Sequence, residues 1–378
     1  MRIALFSDVY KPVINGVVNH VSLLKKHFED VGEQVWLFVP GSRHTVDDEP
    51  NVIRIPGIPI ADTGYHLSVT ADQRTRAILK QVDVIHVHHP FISGSFGLYY
   101  SRRYDLPLVF TNHTRYDLYV QQYLPRLPEA VSETALQAFF QIFSQGCAAM
   151  IAPSEGIAGV MREWGITGKI VVVPNGIELE QFHTHTGTVQ RADLGIADNA
   201  VVGIYVGRMS GEKSVDRLIS IFAALIDEAP MLHLLLVGAG PALDEYKELV
   251  HTLGIEQAVT FTGAVDYARI ADYLALADFF VSASVTEVHP LTFIEAASAG
   301  LPAVGIASPG VSEMIEDGCT GYLAKDNDLS MGLRILRLAH DATLRHKLGN
   351  EAQAFSKKFA AHVNARRVLE LYRTVLTE

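Results

Sequence analysis

Short apolar segments of strand length alternate with amphipathic segments of helix length along the whole chain. In the first half, most of these apolar segments are bounded by Gly, Pro, Asn or Asp, and they lie at residues 2–6, 34–39, 83–87, 107–111, 148–151 and 170–173. The second half repeats the pattern at residues 201–206, 231–237, 258–261, 278–283, 302–305 and 320–323. Alternating strands and helices are typical of parallel sheets covered by helices on both faces. The pattern therefore predicts an α/β protein with doubly wound parallel sheets.

Two segments depart from this alternation. Residues 176–198 contain few apolar clusters and many polar side chains, so we expect a linker between two domains there. Residues 329–378 have a helical pattern throughout.

The composition is that of a folded intracellular protein. With 378 residues, 48% of them hydrophobic and 19% charged, the chain can bury two ordinary cores. The two cysteines, Cys147 and Cys319, are too few for a disulfide framework or a cysteine-rich zinc site, which favours a reducing compartment. The apolar run in the opening MRIALFSD is too short for a signal peptide, and no apolar segment is long enough to span a membrane. We therefore expect a cytoplasmic protein.

Negative charge is concentrated in the second half. Residues 1–150 carry 13 basic and 14 acidic side chains, whereas the rest of the chain carries 18 and 28. This acidity argues against a nucleic-acid partner. Lys25, Lys26, Arg102 and Arg103 in the near-neutral half could contact a lipid ligand or the inner face of a membrane, although solvated helix faces explain them more simply.

The segment SVTEVHPLTFIEAASAGLP, residues 284–302, predicts an anion site beside two carboxylates. Pro290 is expected at the first position of a helix, and it would leave the following amides open at the positive end of the helix dipole. Those amides belong to Leu291, Thr292 and Phe293. Glu287 would lie in the loop before the helix and Glu295 inside it, too far apart to bind one atom. Such a pair suits hydroxyls at the two ends of a sugar nucleotide, but two solvated glutamates remain the alternative.

The segment VVGIYVGRMSGEKSVDRLISIF, residues 201–222, predicts a second group of anion-binding side chains. Its apolar strand ends at Gly207, and an amphipathic helix begins near Val215. Arg208 and Lys213 would therefore lie at the carboxyl end of a strand, where open α/β sheets bind ligands. A guanidinium, an ammonium and free amides suit a diphosphate, although an ordinary solvated loop is the alternative.

These motifs together resemble the retaining glycosyltransferases of family four. GRMSGEK and EVHPLTFIEA match the donor half of that family, and SDVYKPVINGVVNHVSLLKKHFEDVGEQVWLFVP matches its opening strand, loop and helix. VIHVHHP, VFTNHTRYDLY, PNGIELEQF and EDGCTGYLAKD follow in the family's order, so the resemblance covers essentially the whole chain. It implies the GT-B fold, in which two Rossmann-like domains face a cleft. The acceptor domain would span residues 1–180 and the donor domain residues 181–360, with a helix at 361–378 returning to the first domain.

The resemblance also implies roles for individual residues. Arg208 and Lys213 would bind the donor diphosphate, Glu295 the ribose hydroxyls, and Glu287 the transferred sugar. The residues after Glu287 would lie near the sugar and phosphate, and these are His289, Pro290, Leu291 and Thr292.

In the first domain, the resemblance assigns two further residues. Gly16 would approach the diphosphate, where glycine permits close contact and a positive φ. His113 would lie near the reacting sugar, although a structural histidine is the alternative. Asn15 stands where the family commonly has a first glycine.

Three other motifs are set aside. VGAGPAL, residues 237–243, has Leu243 where a dinucleotide fingerprint needs its third glycine. Asp326-Asn327-Asp328 is interpreted as a turn or helix cap and not as a metal motif. His86, His88 and His89 have no nearby carboxylate or cysteine, so sheet-end packing or acceptor contact is favoured over a metal site.

The resulting prediction is a hexosyltransferase that uses a nucleoside-diphosphate sugar, such as a UDP-sugar or GDP-mannose, and retains the anomeric configuration. The transferred hexose is glucose or mannose, and the acceptor is a hydroxyl group, with a leaning toward lipids or lipid-like polyols. Cationic side chains and helix amino termini would stabilise the leaving diphosphate, so no metal or other cofactor is expected to be required. A sugar-nucleotide epimerase of the same architecture and a non-catalytic sugar-binding protein remain as alternatives.

Overall fold

A computed structural model of the chain describes residues 1–13, 15–41, 49–59, 66–67, 72–118 and 129–378. Ile14 and Tyr119, which belong to two of the motifs above, lie outside the described residues. The chain divides into two compact units. The first comprises Met1–Gly176 and Ala361–Glu378, and the second comprises Ile177–Ala360.

The first unit contains a seven-stranded parallel sheet with the order β3-β2-β1-β6-β7-β8-β9. Its strands are β1 (Arg2–Phe6), β2 (Gln34–Gly41), β3 (Val52–Pro56), β6 (Val84–Val87), β7 (Leu108–Thr111), β8 (Ala149–Ala152) and β9 (Ile170–Val172). A separate antiparallel pair is formed by β4 (Ile58–Pro59) and β5 (His66–Leu67). The helices are α1 (Gly16–Asp30), α2 (Gln73–Leu79), α3 (Ile92–Tyr104), α4 (Glu129–Ser144), α5 (Glu155–Glu163) and, at the end of the chain, α13 (Ala361–Val375).

The final helix is part of the first unit's core. Helix α13 contributes Val368, Leu369 and Tyr372 to the apolar cluster that α1 forms with one face of the sheet. Tyr372 is fully buried, and its ring packs edge-on against Phe28 of α1 with centroids 5.7 Å apart. The return of the last helix to the first domain is therefore confirmed.

The second unit contains a six-stranded parallel sheet with the order β12-β11-β10-β13-β14-β15. Its strands are β10 (Val201–Val206), β11 (Leu232–Val237), β12 (Val259–Gly263), β13 (Phe279–Ser282), β14 (Ala303–Ile306) and β15 (Gly321–Ala324). Its α-helices are α6 (Glu180–His183), α7 (Val215–Leu225), α8 (Leu243–Leu253), α9 (Ile270–Leu274), α10 (Leu291–Ser298), α11 (Asp328–His340) and α12 (Ala342–Ser356). Single 3-10 turns lie at Ala192–Leu194, Gly211–Lys213, Glu256–Ala258, Tyr267–Arg269 and Lys357–Phe359.

Both sheets have Rossmann-like order. Counting only parallel strands, each begins 3-2-1-4, so the order reverses between β1 and β6 in the first unit and between β10 and β13 in the second. Loops that leave the carboxyl ends of such neighbouring strands diverge to opposite faces and open a crevice for ligands. Within the described residues, no helix has both the length and the apolar character needed to cross a bilayer.

Most of the predicted linker packs on the second unit. The Thr186 amide and hydroxyl donate to Asp272 at 2.6 and 2.9 Å, and the Arg191 guanidinium donates to the Leu276 carbonyl at 2.7 Å and to Asp278 at 2.9 Å. The division between the two units falls at Gly176 and Ile177, at the start of the predicted linker, and polar side chains in the rest of this segment hydrogen-bond within the second unit.

Candidate active site

The carboxyl end of β10 leads into a loop that presents two cations. Arg208 is exposed, and its guanidinium has no ion-pair partner in the part of the chain that the structure describes. The Tyr205 hydroxyl donates to the Arg208 carbonyl at 3.2 Å and fixes the backbone there. Lys213 ends the 3-10 turn Gly211–Lys213, and Ser214 after it has a left-handed backbone with φ 51°. Helix α7 then begins at Val215, as predicted.

The loops after β10 and β13 are joined by an ion pair and by hydrogen bonds. Lys213 Nζ lies 2.7 Å from Glu287 Oε1, and both side chains are only partly exposed. The Thr286 hydroxyl donates to the Glu212 carbonyl at 3.0 Å, and the Ser210 hydroxyl donates to the buried Glu212 carboxylate at 2.6 Å. These hydrogen bonds fix the two loops, and the fixed loops hold Lys213 next to Glu287.

Three glycines allow the backbones of neighbouring loops to pack closely against these two loops. A Cβ on Gly310 would lie 1.9 Å from the Glu287 carbonyl oxygen, so the loop after β14 packs directly beneath Glu287. A Cβ on Gly238 would lie 1.9 Å from the Gly207 carbonyl oxygen, and one on Gly240 would lie 2.3 Å from that of Met209. The glycines of VGAGPAL thus provide close packing under the Arg208 loop.

Glu295 is a buried carboxylate that accepts a hydrogen bond from a tyrosine. It is 3% exposed on α10, and Tyr267 donates to its Oε1 at 2.9 Å. Burial raises the pKa of Glu295 to about 7, and the Tyr267 hydrogen bond acts in the opposite direction. No ion pair to Glu295 occurs among the described residues. A carboxylate in this setting is suited to accept hydrogen bonds from the hydroxyls of a ligand.

The start of α10 differs in detail from the prediction. Pro290 precedes the helix with an extended backbone, φ −70° and ψ 113°, so the helix begins at Leu291 and not at Pro290. The Phe293 amide donates to the Pro290 carbonyl at 3.2 Å, so this amide is not open as expected. Thr292 is partly exposed, and His289 is buried with its ring 5.5 Å from that of Phe359.

Gly16 is exposed at the first position of α1 in the first unit. Because Gly16 belongs to the helix, the positive φ that glycine permits is not needed at this position. Asn15, which replaces the more common glycine, caps the helix by accepting from the Val18 amide at 2.9 Å. Asparagine is among the preferred residues at this position, so the departure has a local structural reason.

His113 follows β7 and belongs to a cluster of histidines. Its Nε2 lies 3.0 Å from His88 Nδ1, and the His20 ring of α1 lies 4.9 Å from the His113 ring. His86 is fully buried, and its two nitrogens hydrogen-bond to the hydroxyls of Tyr372 at 2.5 Å and Thr111 at 2.7 Å. His86 therefore packs at the end of the sheet, whereas His88 contacts His113, the predicted active-site histidine.

The structure shows one direct contact between sequence-predicted site residues. In the second unit, Lys213 and Glu287 are in contact, and Glu295 lies on the helix that follows Glu287. Tyr267 and His20 were missed, because nothing in their local sequence signals a long-range contact. The motif at Asp326–Asp328 is a helix cap: Asn327 accepts from the Ser330 amide at 2.8 Å, and Arg217 pairs with both aspartates.

Two family descriptions cover most of the chain. Residues 188–355 match "Glycosyl transferases group 1", and residues 14–181 match "Glycosyltransferase Family 4". The alpha-monoglucosyldiacylglycerol synthase of Acholeplasma laidlawii is 30% identical, over 98% of this chain and 96% of that protein. The synthase of the same name from Streptococcus pneumoniae R6 is 28% identical, over 98% of this chain and 85% of that protein.

A solved structure shows the same fold over the full length. Anabaena HepE in complex with UDP-glucose superposes with a TM-score of 0.78 at 20% identity, covering 99% of this chain and 100% of that one. The two Rossmann-like units are therefore those of the GT-B fold. With the full-length similarity to the Acholeplasma protein, this places the chain in glycosyltransferase family 4 as a hexosyltransferase.

Proposed function

We propose that the protein transfers glucose from a nucleoside-diphosphate sugar to a hydroxyl of a diacylglycerol-type lipid, with retention of the anomeric configuration. The observation that carries this proposal is the arrangement at the second sheet's switch point. The exposed Arg208, the Lys213–Glu287 pair and the buried Glu295 all belong to loops or helices that follow strands of one sheet. The choice of glucose and of a diacylglycerol acceptor rests on the names of the two synthases that the chain resembles over 98% of its length.

The side chains are suited to stabilise the leaving group. Departure of the diphosphate builds negative charge on its oxygens and positive charge on the sugar ring. A guanidinium and an ammonium beside helix amino termini would stabilise the diphosphate oxygens, and Glu287 could accept from sugar hydroxyls. We propose that the diphosphate also takes the acceptor proton as the hydroxyl attacks from the same face. No metal is needed in this scheme.

The remaining predicted residues complete the proposed assignments. Glu295 would bind the ribose, and the segment from His289 to Thr292 would lie beside the sugar and phosphate. In the first unit, Gly16 would contact the diphosphate, and His113 would act near the reacting sugar. We further propose that the enzyme works at the cytoplasmic face of a membrane, where its lipid acceptor would be found.

The test is transfer into lipid by the purified protein. Radiolabelled UDP-glucose and GDP-mannose are each incubated with anionic vesicles that contain diacylglycerol, and products are separated into lipid and nucleotide-sugar fractions. We expect an α-linked glucolipid, with turnover lowered at least a hundredfold by Arg208→Ala or Lys213→Ala. Lys247→Ala on exposed α8 is the matched control and should match wild type.

Two results would contradict the proposal. A new free sugar nucleotide without glycolipid would indicate an epimerase. Near-normal transfer by both Arg208→Ala and Lys213→Ala would refute the diphosphate assignment.

A further inference from the structure

Three histidines from separate elements converge in the first unit. His20 comes from α1, His88 follows β6 and His113 follows β7. One ring nitrogen of each lies within 4.8 Å of those of the other two. His88 Nδ1 and His113 Nε2 are 3.0 Å apart, and the ring centroids of His20 and His88 are 5.7 Å apart. We call these three residues the histidine cluster.

Hydrogen bonding within the protein leaves part of the histidine cluster unsatisfied. Neighbouring His86 has both nitrogens engaged by hydroxyls, and His89 Nδ1 accepts from the Asp8 amide at 3.1 Å. By contrast, His88 is fully buried, and its Nε2 has no hydrogen-bond partner within the described chain. The nitrogen of His88 that faces His113 is the other one, Nδ1, so the reason to look for a ligand between these rings is the convergence of three imidazoles.

We propose that the histidine cluster binds a divalent transition-metal ion of the zinc class, with three imidazole ligands and a fourth position open. Imidazole favours zinc, copper and nickel, whereas magnesium and calcium require oxygen ligands. No carboxylate or thiol joins the cluster among the described residues. Three histidines with one open position form a known arrangement for zinc.

The spacing is close to what a metal requires. Bonds of 2.0–2.1 Å in tetrahedral geometry separate two ligand nitrogens by roughly 3.3 Å. The His88 and His113 nitrogens, at 3.0 Å, need to separate by only a few tenths of an ångström, and both rings must turn because a tetrahedral ion lies off the line that joins the two nitrogens. The His20 nitrogen, which lies within 4.8 Å of the other two, must also move toward them. His113 is partly exposed, which gives an ion a route to the cluster.

Protonation does not oppose binding near neutral pH. Burial lowers the pKa of His20 to about 4 and also lowers the pKa of His88. Neutral imidazoles are the form that coordinates metals. Binding at this site goes beyond the proposed function, and it would remove His113 from the role proposed for it, so metal loading should lower transfer.

The test measures binding directly, in protein without nucleotide. Purified protein is titrated with Co²⁺, whose visible absorption is strong in tetrahedral sites, and zinc affinity is then measured by competition and calorimetry. We expect one site per chain. His20→Asn and His88→Asn should each weaken it at least tenfold.

The matched control is the double variant His183→Asn, His185→Asn. It removes an exposed pair of histidines in the other unit, which could bind metal weakly at the surface. It should leave the strong site unchanged. Loss of the strong site in this variant, or its persistence in both His20→Asn and His88→Asn, would overturn the proposal, as would the absence of a tetrahedral cobalt spectrum in wild type.

A second measurement does not depend on the variants folding. Crystals of wild-type protein soaked in zinc should give anomalous density bonded to nitrogens of all three residues. Density elsewhere, or none, would overturn the proposal. Neither measurement uses a sugar donor, so this inference and the proposed transferase activity can fail independently.

Discussion

Glu295 is a carboxylate whose charge state depends on pH near neutrality. Burial raises its pKa from the usual 4.5 to about 7, so its ionised fraction increases between pH 6 and pH 8. If the ionised form accepts from ribose hydroxyls, the affinity for a nucleoside-diphosphate sugar should rise by roughly tenfold over that interval. Calorimetry with the intact sugar nucleotide checks this, because its diphosphate does not titrate there. Glu295→Gln should bind more weakly and with a flat pH profile, and a wild-type profile that is equally flat would contradict the role.

The ionisation of Glu295 should also make the free energy of unfolding depend on pH when no ligand is bound. Its folded pKa is above its unfolded pKa, so the native state holds the proton longer, and the free energy of unfolding falls as pH rises from about 4.5 to about 7. Glu295→Gln should remove that decline. Tyr267→Phe removes the hydrogen bond that lowers this pKa, so the decline should extend to higher pH, and an unchanged profile would argue against the contact.

Among the elements, the loop beneath Glu287 depends on Gly310. A Cβ there would meet the Glu287 carbonyl at 1.9 Å, and because both atoms are backbone-fixed, the loop must move. Gly310→Ala should therefore lower donor affinity and turnover by at least tenfold. Gly159→Ala in α5 is the matched control, since a Cβ there meets nothing within 4 Å. It should keep full activity and gain about 0.5–1 kcal/mol of stability. Equal activity of both variants would contradict the prediction.

Helix α3 has an exposed face suited to a membrane surface. Tyr99, Arg102 and Arg103 are all exposed and share one side of the helix, with Tyr99 57% exposed. Arg102→Glu with Arg103→Glu should weaken sedimentation with anionic vesicles several-fold. The same charge change at exposed Arg366 and Arg367 of α13 is the control. If both double variants lose binding equally, a specific face on α3 is wrong.

The buried strands could be predicted from the sequence because they are apolar on both faces of a covered sheet. All twelve predicted runs overlap observed strands. Strand β3 was missed, since it is a short edge strand, and Arg54 breaks its apolar run. The two motif loops were also predicted, but not the contact of Lys213 with Glu287. That contact depends on strand order, which brings residues 74 positions apart together.

At the scale of the whole molecule, the first unit is held together by the two ends of the chain. Tyr372 of α13 hydrogen-bonds to buried His86 of β6 at 2.5 Å. Tyr372→Phe leaves that ring nitrogen without its partner, which should cost about 1–3 kcal/mol. Both tryptophans, Trp36 and Trp164, lie in the first unit, so tryptophan emission during urea unfolding reports on that unit alone.

The control for this variant is Tyr246→Phe. Its buried hydroxyl has no hydrogen-bond partner within the described residues, and it lies in the second unit. The tryptophan transition should move to lower urea for Tyr372→Phe and stay in place for Tyr246→Phe. No shift in the first variant would mean that the His86 contact contributes little.

The placement of α13 also sets the order in which the protein can mature on the ribosome. The second unit is built from continuous residues and can fold as soon as it leaves the exit tunnel, whereas the first emerges earlier but lacks its last helix until residues 361–378 have been made. For roughly 10–40 s, the time needed to synthesise residues 177–378, apolar residues of α1 and the first sheet remain uncovered. The nascent amino-terminal half is therefore a natural client for chaperones, even though it is made first.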